Sequence, residues 1–158
     1  MKIKILCVGK IKEKFFNEAL LEYKKRLSGY CKIEIIEVSD EKIKYENDSN
    51  KEIAMKKEGE RLLAKIKDND YLITLEIKGE KMSSENLANK INKLSIEGVS
   101  NIVFLIGGSY GINKEVRNRS NFSLSFSEMT FPHQLMRVVL LEQIYRTFKI
   151  NKNEPYHK

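Results

Sequence analysis

The stretch Asn101 to Gly111, N-I-V-F-L-I-G-G-S-Y-G, decides the fold. Its run from Asn101 to Ile106 is apolar, branched and bounded by turn residues, as a strand covered on both faces of a sheet must be. Three glycines, Gly107, Gly108 and Gly111, follow where that strand should end. Ligands of open α/β sheets bind outside the carboxyl ends of strands, where glycine lets the backbone approach them closely. One short segment therefore marks both an architecture and a first candidate site. A second candidate segment, Ser125 to His133 (S-F-S-E-M-T-F-P-H), lies just ahead of the longest helical pattern. Together they suggest one composite pocket in the C-terminal half.

Four more segments carry a strand pattern: Lys2 to Val8, Ile33 to Val38, Tyr71 to Ile77 and Phe122 to Phe126. Helical stripes alternate with them. Phe15, Phe16, Ala19, Leu20, Tyr23 and Leu27 mark the first, Ile53, Leu62, Leu63 and Ile66 a weaker second. Leu87, Ala88, Ile91 and Leu94 mark a third, opened by Ser83 or Ser84 as its cap. A short turn should follow Ile112, and the last helix should run from about Pro132 to about Phe148, with Thr130 or Phe131 as cap. This alternation predicts an α/β fold with a mostly parallel sheet flanked by helices, in a single domain over residues 1–158. Ser39 to Asn50 reads as one long, exposed, mobile loop.

The last helix carries apolar residues on more than one face, from Leu135 and Met136 to Tyr145 and Phe148. One buried stripe does not need so many. The expected reason is contact with a second subunit in a homodimer, the alternative a central helix within one chain.

Composition narrows the class. With 158 residues, 41% hydrophobic and 32% charged, the chain suits a globular protein with a well-solvated surface. Its longest apolar segment, Ile102 to Ile106, is far short of the ~20 residues that span a bilayer. The start, Met1-Lys2-Ile3-Lys4-Ile5, alternates charge with apolar residues and so lacks the core of a secretory signal, which points to the cytoplasm. Cys7 and Cys31 are too few for a zinc set or a redox pair, and Cys7 reads as a small core residue; no metal is implied. The net charge of +7 favours a polyanionic partner, although a lysine-rich surface alone has the same signature.

Among the residues that could do chemistry, the glycine turn fits neither G-x-G-x-x-G nor a Walker loop, which disfavours a dehydrogenase or NTPase. His133 is a candidate base in the first turn of the last helix. Arg137 could reach an anion near the pocket, and Glu142 with Arg146 reads as an i, i+4 ion pair. The tail brings an aromatic, a titratable base and a cation together in Tyr156, His157 and Lys158, a set suited to a nucleobase, though last octets commonly fray.

With these residues assembled, the chain resembles the ribosomal large-subunit methyltransferase H family, small members of the SPOUT (α/β-knot) methyltransferases. The resemblance covers essentially the whole chain. V-G-K at Val8 to Lys10, L-E-I at Leu75 to Ile77 and I-G-G-S-Y-G at Ile106 to Gly111 carry part of it. The specific part is S-E-M-T-F-P-H-Q-L-M-R-V-V-L-L-E-Q-I-Y-R at Ser127 to Arg146, with P-Y-H-K at Pro155 to Lys158. The resemblance implies a homodimer with a C-terminal trefoil knot. It also implies transfer of a methyl group from S-adenosylmethionine to N3 of a pseudouridine in 23S rRNA, on the assembled ribosome. Leu75, Gly107, Phe126, Ser127, Glu128, Met129, Thr130 and Phe131 are the implied cofactor residues. His157 or Tyr156 is the candidate group assisting proton loss, and Arg137, Lys10, Lys12 and Lys158 are candidates for RNA contact. The competing readings are a SPOUT enzyme for another rRNA or tRNA base, and a non-catalytic ribosome-binding protein.

Overall fold

The computed structural model describes residues 1–156. Five parallel strands form one sheet in the order β2-β1-β4-β3-β5. They are β1 (Lys2–Val8), β2 (Lys32–Val38), β3 (Tyr71–Lys81), β4 (Asn101–Ile106) and β5 (Phe122–Ser125). The helices α1 (Lys14–Leu27), α2 (Asp48–Leu63), α3 (Ser84–Ile96), α4 (Lys114–Arg119) and α5 (His133–Asn151) connect and follow them.

The period of two along each strand divides the core into two layers. Ile3, Ile5 and Cys7 of β1 and Ile102, Phe104 and Ile106 of β4 pack with Leu20, Leu27, Leu87, Ile91, Leu140 and Ile144, under α1, α3 and α5. Leu6, Val8, Val103 and Leu105 turn the other way, onto Leu62 of α2 and Val116 of α4. Helices thus cover both faces, as the apolar strands required. Cys7 is a core residue, and its burial pushes the thiol up to about 12.

Several local expectations are met. Ser83 caps α3 by accepting the Asn86 N–H at 3.2 Å, and Asn47 and Asn113 cap α2 and α4 in the same way. Others are corrected. The connection after β2 ends at Asn47 because that cap opens α2 at Asp48. Its first residues are held: Glu41 pairs with Lys57 and Arg61, Arg61 donates to the Ser39 carbonyl, and buried Glu58 accepts the Glu41 N–H at 2.9 Å.

β3 runs to Lys81, four residues past the expected end. Its pairing with β5 skips from Leu75 to Glu80, so residues 76–79 bulge and the ladder resumes. Gly79 makes this possible, since a Cβ there would lie 2.7 Å from the Leu124 backbone.

α5 lies between α1 and α3 on one face of the sheet. Leu140, Leu141 and Ile144 are fully buried, while Val138, Val139, Tyr145 and Phe148 are half-buried against the same cluster. The breadth of its apolar surface is therefore accounted for within one chain, and a second subunit is not needed to explain it. No side-chain cap begins this helix, contrary to the Thr130 or Phe131 expectation. Pro132 stands at the N-cap with extended backbone.

Candidate active site

The glycine turn and the segment before α5 meet at the carboxyl ends of β3, β4 and β5, around a cleft of about 1130 Å³. Ile106, Gly107, Gly108, Gly111 and Ile112 form one wall, Leu75 to Glu80 another, and Phe126, Ser127, Met129, Thr130 and Phe131 a third. His133 and Met136 reach the cleft from α5. The convergence expected of the two segments is present.

Each wall has a local cause. The Gly108–Gly111 bridge closes the first turn, with Gly111 N–H donating to the Gly108 carbonyl at 3.0 Å. A Cβ on Gly107 would lie 2.5 Å from Ile112 Cγ2 and 3.0 Å from the Gly111 carbonyl oxygen, and one on Gly108 would require the Glu58 carboxylate to move. In the third wall, buried Ser125 donates to the Ile77 carbonyl at 2.9 Å, pinning the end of β5 to the β3 bulge. Ser127 Oγ then accepts the Met129 N–H at 3.0 Å, which turns the chain toward α5.

Of the implied cofactor residues, Leu75, Gly107, Phe126, Ser127, Met129, Thr130 and Phe131 line the cleft, and Glu128 does not. Its carboxylate is exposed and paired with Lys81.

A polar arm was not anticipated. Glu76, Arg117, Ser120 and Ser123 extend the cleft along the β3 and β5 edge. Glu76 accepts from Ser123 at 2.8 Å and Thr74 at 3.1 Å through one oxygen, and from Arg117 at 2.7 Å through the other. A carboxylate in the middle of L-E-I was the one available signal.

Arg137 requires the largest correction. It is 1% exposed, and it donates to Glu37 Oε1 at 2.6 Å and to the carbonyls of Val8 at 2.9 Å and Gly9 at 2.8 Å. A guanidinium engaged in this way inside the protein cannot meet an RNA phosphate. Lys10 and Lys12 are exposed on the loop those bonds hold.

Tyr156 packs against α5. It donates to Glu142 Oε2 at 2.8 Å, stacks edge-on against Tyr145 and lies under Arg146, which keeps its expected pair with Glu142. Glu142 lies nine residues beyond His133, about 13 Å along the helix at ~1.5 Å per residue. The phenol does not line the cleft of its own chain, and burial followed by the bond to Glu142 raises its pKa. The bond to Glu142 also ties the tail to α5. The tail is tied down this far, with Glu154 also bonded to Tyr30 and Lys149. His157 and Lys158 lie outside the described residues. His133 is half-buried in the cleft wall, and burial, then Arg137, lower its pKa.

A parallel sheet with helices on both faces and a cleft at the strand ends, lined by a glycine turn and by the segment entering the last helix, defines a nucleotide-type binding fold. The sequence profile of one family, described as "Predicted SPOUT methyltransferase", matches residues 1–157, and the chain belongs to this family. SPOUT methyltransferases use S-adenosylmethionine, so the protein is an S-adenosylmethionine-dependent methyltransferase. It is also similar to a protein of Clostridium novyi (strain NT), "Ribosomal RNA large subunit methyltransferase H". The two are 57% identical, with all of both chains covered.

Proposed function

We propose that the protein methylates large-subunit ribosomal RNA, at N3 of a pseudouridine in 23S rRNA on the assembled ribosome. The observation that carries this is the cleft, whose two sequence-predicted walls meet at the strand ends, in a chain 57% identical throughout to the large-subunit methyltransferase of Clostridium novyi.

The lining suits the cofactor. Leu75, Ile106, Ile112, Phe126 and Met129 offer apolar faces for an adenine ring, while Gly107 and the 126–131 backbone can reach its edges. Glu76 also lines the cleft, its charge shared with Arg117. When bound, S-adenosylmethionine supplies a methyl group already activated on sulfur. The chain's own residues must then orient the base and receive the N3 proton. His133 is in the cleft wall and is one candidate acceptor. His157 is the other candidate, and Glu128 a rim contact through its backbone. A cleft of about 1130 Å³ exceeds the ~300–1,000 Å³ typical of a single small ligand, which leaves room for a target base beside the cofactor.

Lys10, Lys12 and Lys158 are the proposed phosphate contacts, within a chain of net charge +7. A ribosomal substrate would put the enzyme in the cytoplasm. For the described residues, no helix is long and apolar enough to cross a membrane. The proposed homodimer is supported by apolar side chains left open: Met129 at 74% and Phe131 at 37% exposure in the cleft wall, and Leu135 at 36% on α5. The proposed trefoil knot is supported by the chain's path. After β5 at one edge of the sheet, residues 126–132 pass across the cleft, and α5 then reaches the loop beyond β1.

The test is nucleoside mass spectrometry of ribosomes from cells lacking the gene, incubated with the protein and S-adenosylmethionine. One new methyl on a 23S pseudouridine is expected. Methylation of tRNA or of another base instead, or none despite cofactor binding, would overturn the assignment in favour of the competing readings.

A further inference from the structure

The first turn of α5 has two differently occupied sides. His133 and Met136, three residues apart and so on one face, line the cleft. Gln134 and Arg137 repeat that spacing one residue on and face the loop after β1. Gln134 Oε1 accepts the N–H of Lys12 at 3.0 Å and of Glu13 at 3.4 Å. Arg137 donates to the carbonyls of Val8 and Gly9 and to Glu37 Oε1, the same oxygen that accepts the Ile11 N–H at 3.0 Å. Five backbone atoms between Val8 and Glu13 are thus fixed by three side chains, two of them from one helical turn.

The side chains of Lys10 and Lys12 project outward from this fixed backbone, and among the described residues neither forms an ion pair. The loop also sits beside the cleft. Cys7 of β1 is in register with Ile106 of β4, so the Gly9 loop and the Gly107 turn leave the sheet as neighbours, about 4.8 Å apart in strand spacing. Burying a guanidinium is a costly way to hold a turn, and Arg137 Nε is left buried without a partner among the described residues. Shape alone could be kept by an apolar side chain, but not the grip on two carbonyls and a carboxylate.

We propose that Arg137 and Gln134 are positioning residues that fix the Gly9–Glu13 loop against the cleft, so that Lys10 and Lys12 engage phosphates of the RNA whose base enters it. This rests on the RNA methyltransferase reading above. α5 is then a bracket: one side of its first turn shapes the cleft while the other aims the lysines.

The test measures methylation kinetics on unmethylated ribosomes with the full-length protein, alongside calorimetry with S-adenosylmethionine. Lys10→Ala/Lys12→Ala should raise KM for ribosomes about tenfold. Gln134→Ala and Arg137→Lys should raise it at least fivefold, with the cofactor Kd within twofold of wild type. Gln134→Ala added to the lysine-free background should raise KM less than twofold further, because the bracket acts through those lysines. Gln134 is half-exposed, so that variant tests the proposal even if the Arg137 change unfolds the protein. Full multiplication of the two effects, an unchanged KM in Gln134→Ala, or a cofactor Kd that weakens as much as KM would overturn the positioning role alone. An unchanged KM in the lysine variant would remove the lysines from RNA binding, and the inference with them.

Discussion

Gly107 and His133 carry different burdens in the cleft. Gly107 is there because nothing larger fits: a Cβ would press on Ile112, itself buried, and on the Gly111 carbonyl at 3.0 Å. Gly107→Ala must displace the turn, and the expected outcome is a tenfold or greater loss of S-adenosylmethionine affinity by calorimetry, about 1.4 kcal/mol or more. Unchanged affinity would mean the turn does not shape the site. His133 has a pKa below its ordinary 6.5, by burial first and Arg137 second. In the window from that lowered value up to 6.5 the unfolded chain binds the extra proton, so stability rises with pH there and falls as the pH drops. Compared with wild type, His133→Asn should show a flatter decline of stability below pH 6.5 in denaturant titrations. Parallel curves would contradict the assignment. The glycines were legible in the sequence because a doubled glycine after an apolar run has few other uses. Arg137 was not, because nothing local distinguishes a buried arginine from a surface one on a helix. Its partner gave a faint sign, since Glu37 in I-E-I-I-E-V is a charge near the end of a strand that must be covered.

At the level of elements, the strands and helices followed from composition and period, and the start of α3 from its Ser83 cap. What the period could not reveal was where polar residues enter the core. Lys4, within the apolar β1, is buried and paired with Asp70 at 3.0 Å, and it also donates to the Lys65 carbonyl at 2.9 Å. Asp70 accepts the Lys67 N–H as well, so one carboxylate joins β1 to the turn that leads into β3. Replacing it leaves a buried ammonium short of its counter-charge, a loss of ~3–5 kcal/mol where such pairs are broken. Asp70→Ala should therefore lower the urea midpoint sharply with an unchanged slope, and a shift under about 1 kcal/mol would show that the pair is dispensable. The bulge in β3 belongs to the same class. It depends on how Gly79 meets the backbone of a strand more than forty residues later, which a local pattern does not contain.

For the molecule as a whole, the strand-end location of the cleft was readable because parallel α/β sheets place their ligands there. The layer arrangement was less so. A helix with apolar residues all round suggested a second subunit, yet α1 and α3 flank α5 within the chain. The central claim is that the Gly107 turn and the segment ahead of α5 hold one methyl donor between them. Hydrogen–deuterium exchange with and without S-adenosylmethionine tests it most directly. Added cofactor should slow exchange in residues 106–112 and 126–131 together, with little change in β2 at the far edge of the sheet. Protection confined to one of the two segments, or appearing around β2 instead, would contradict the account.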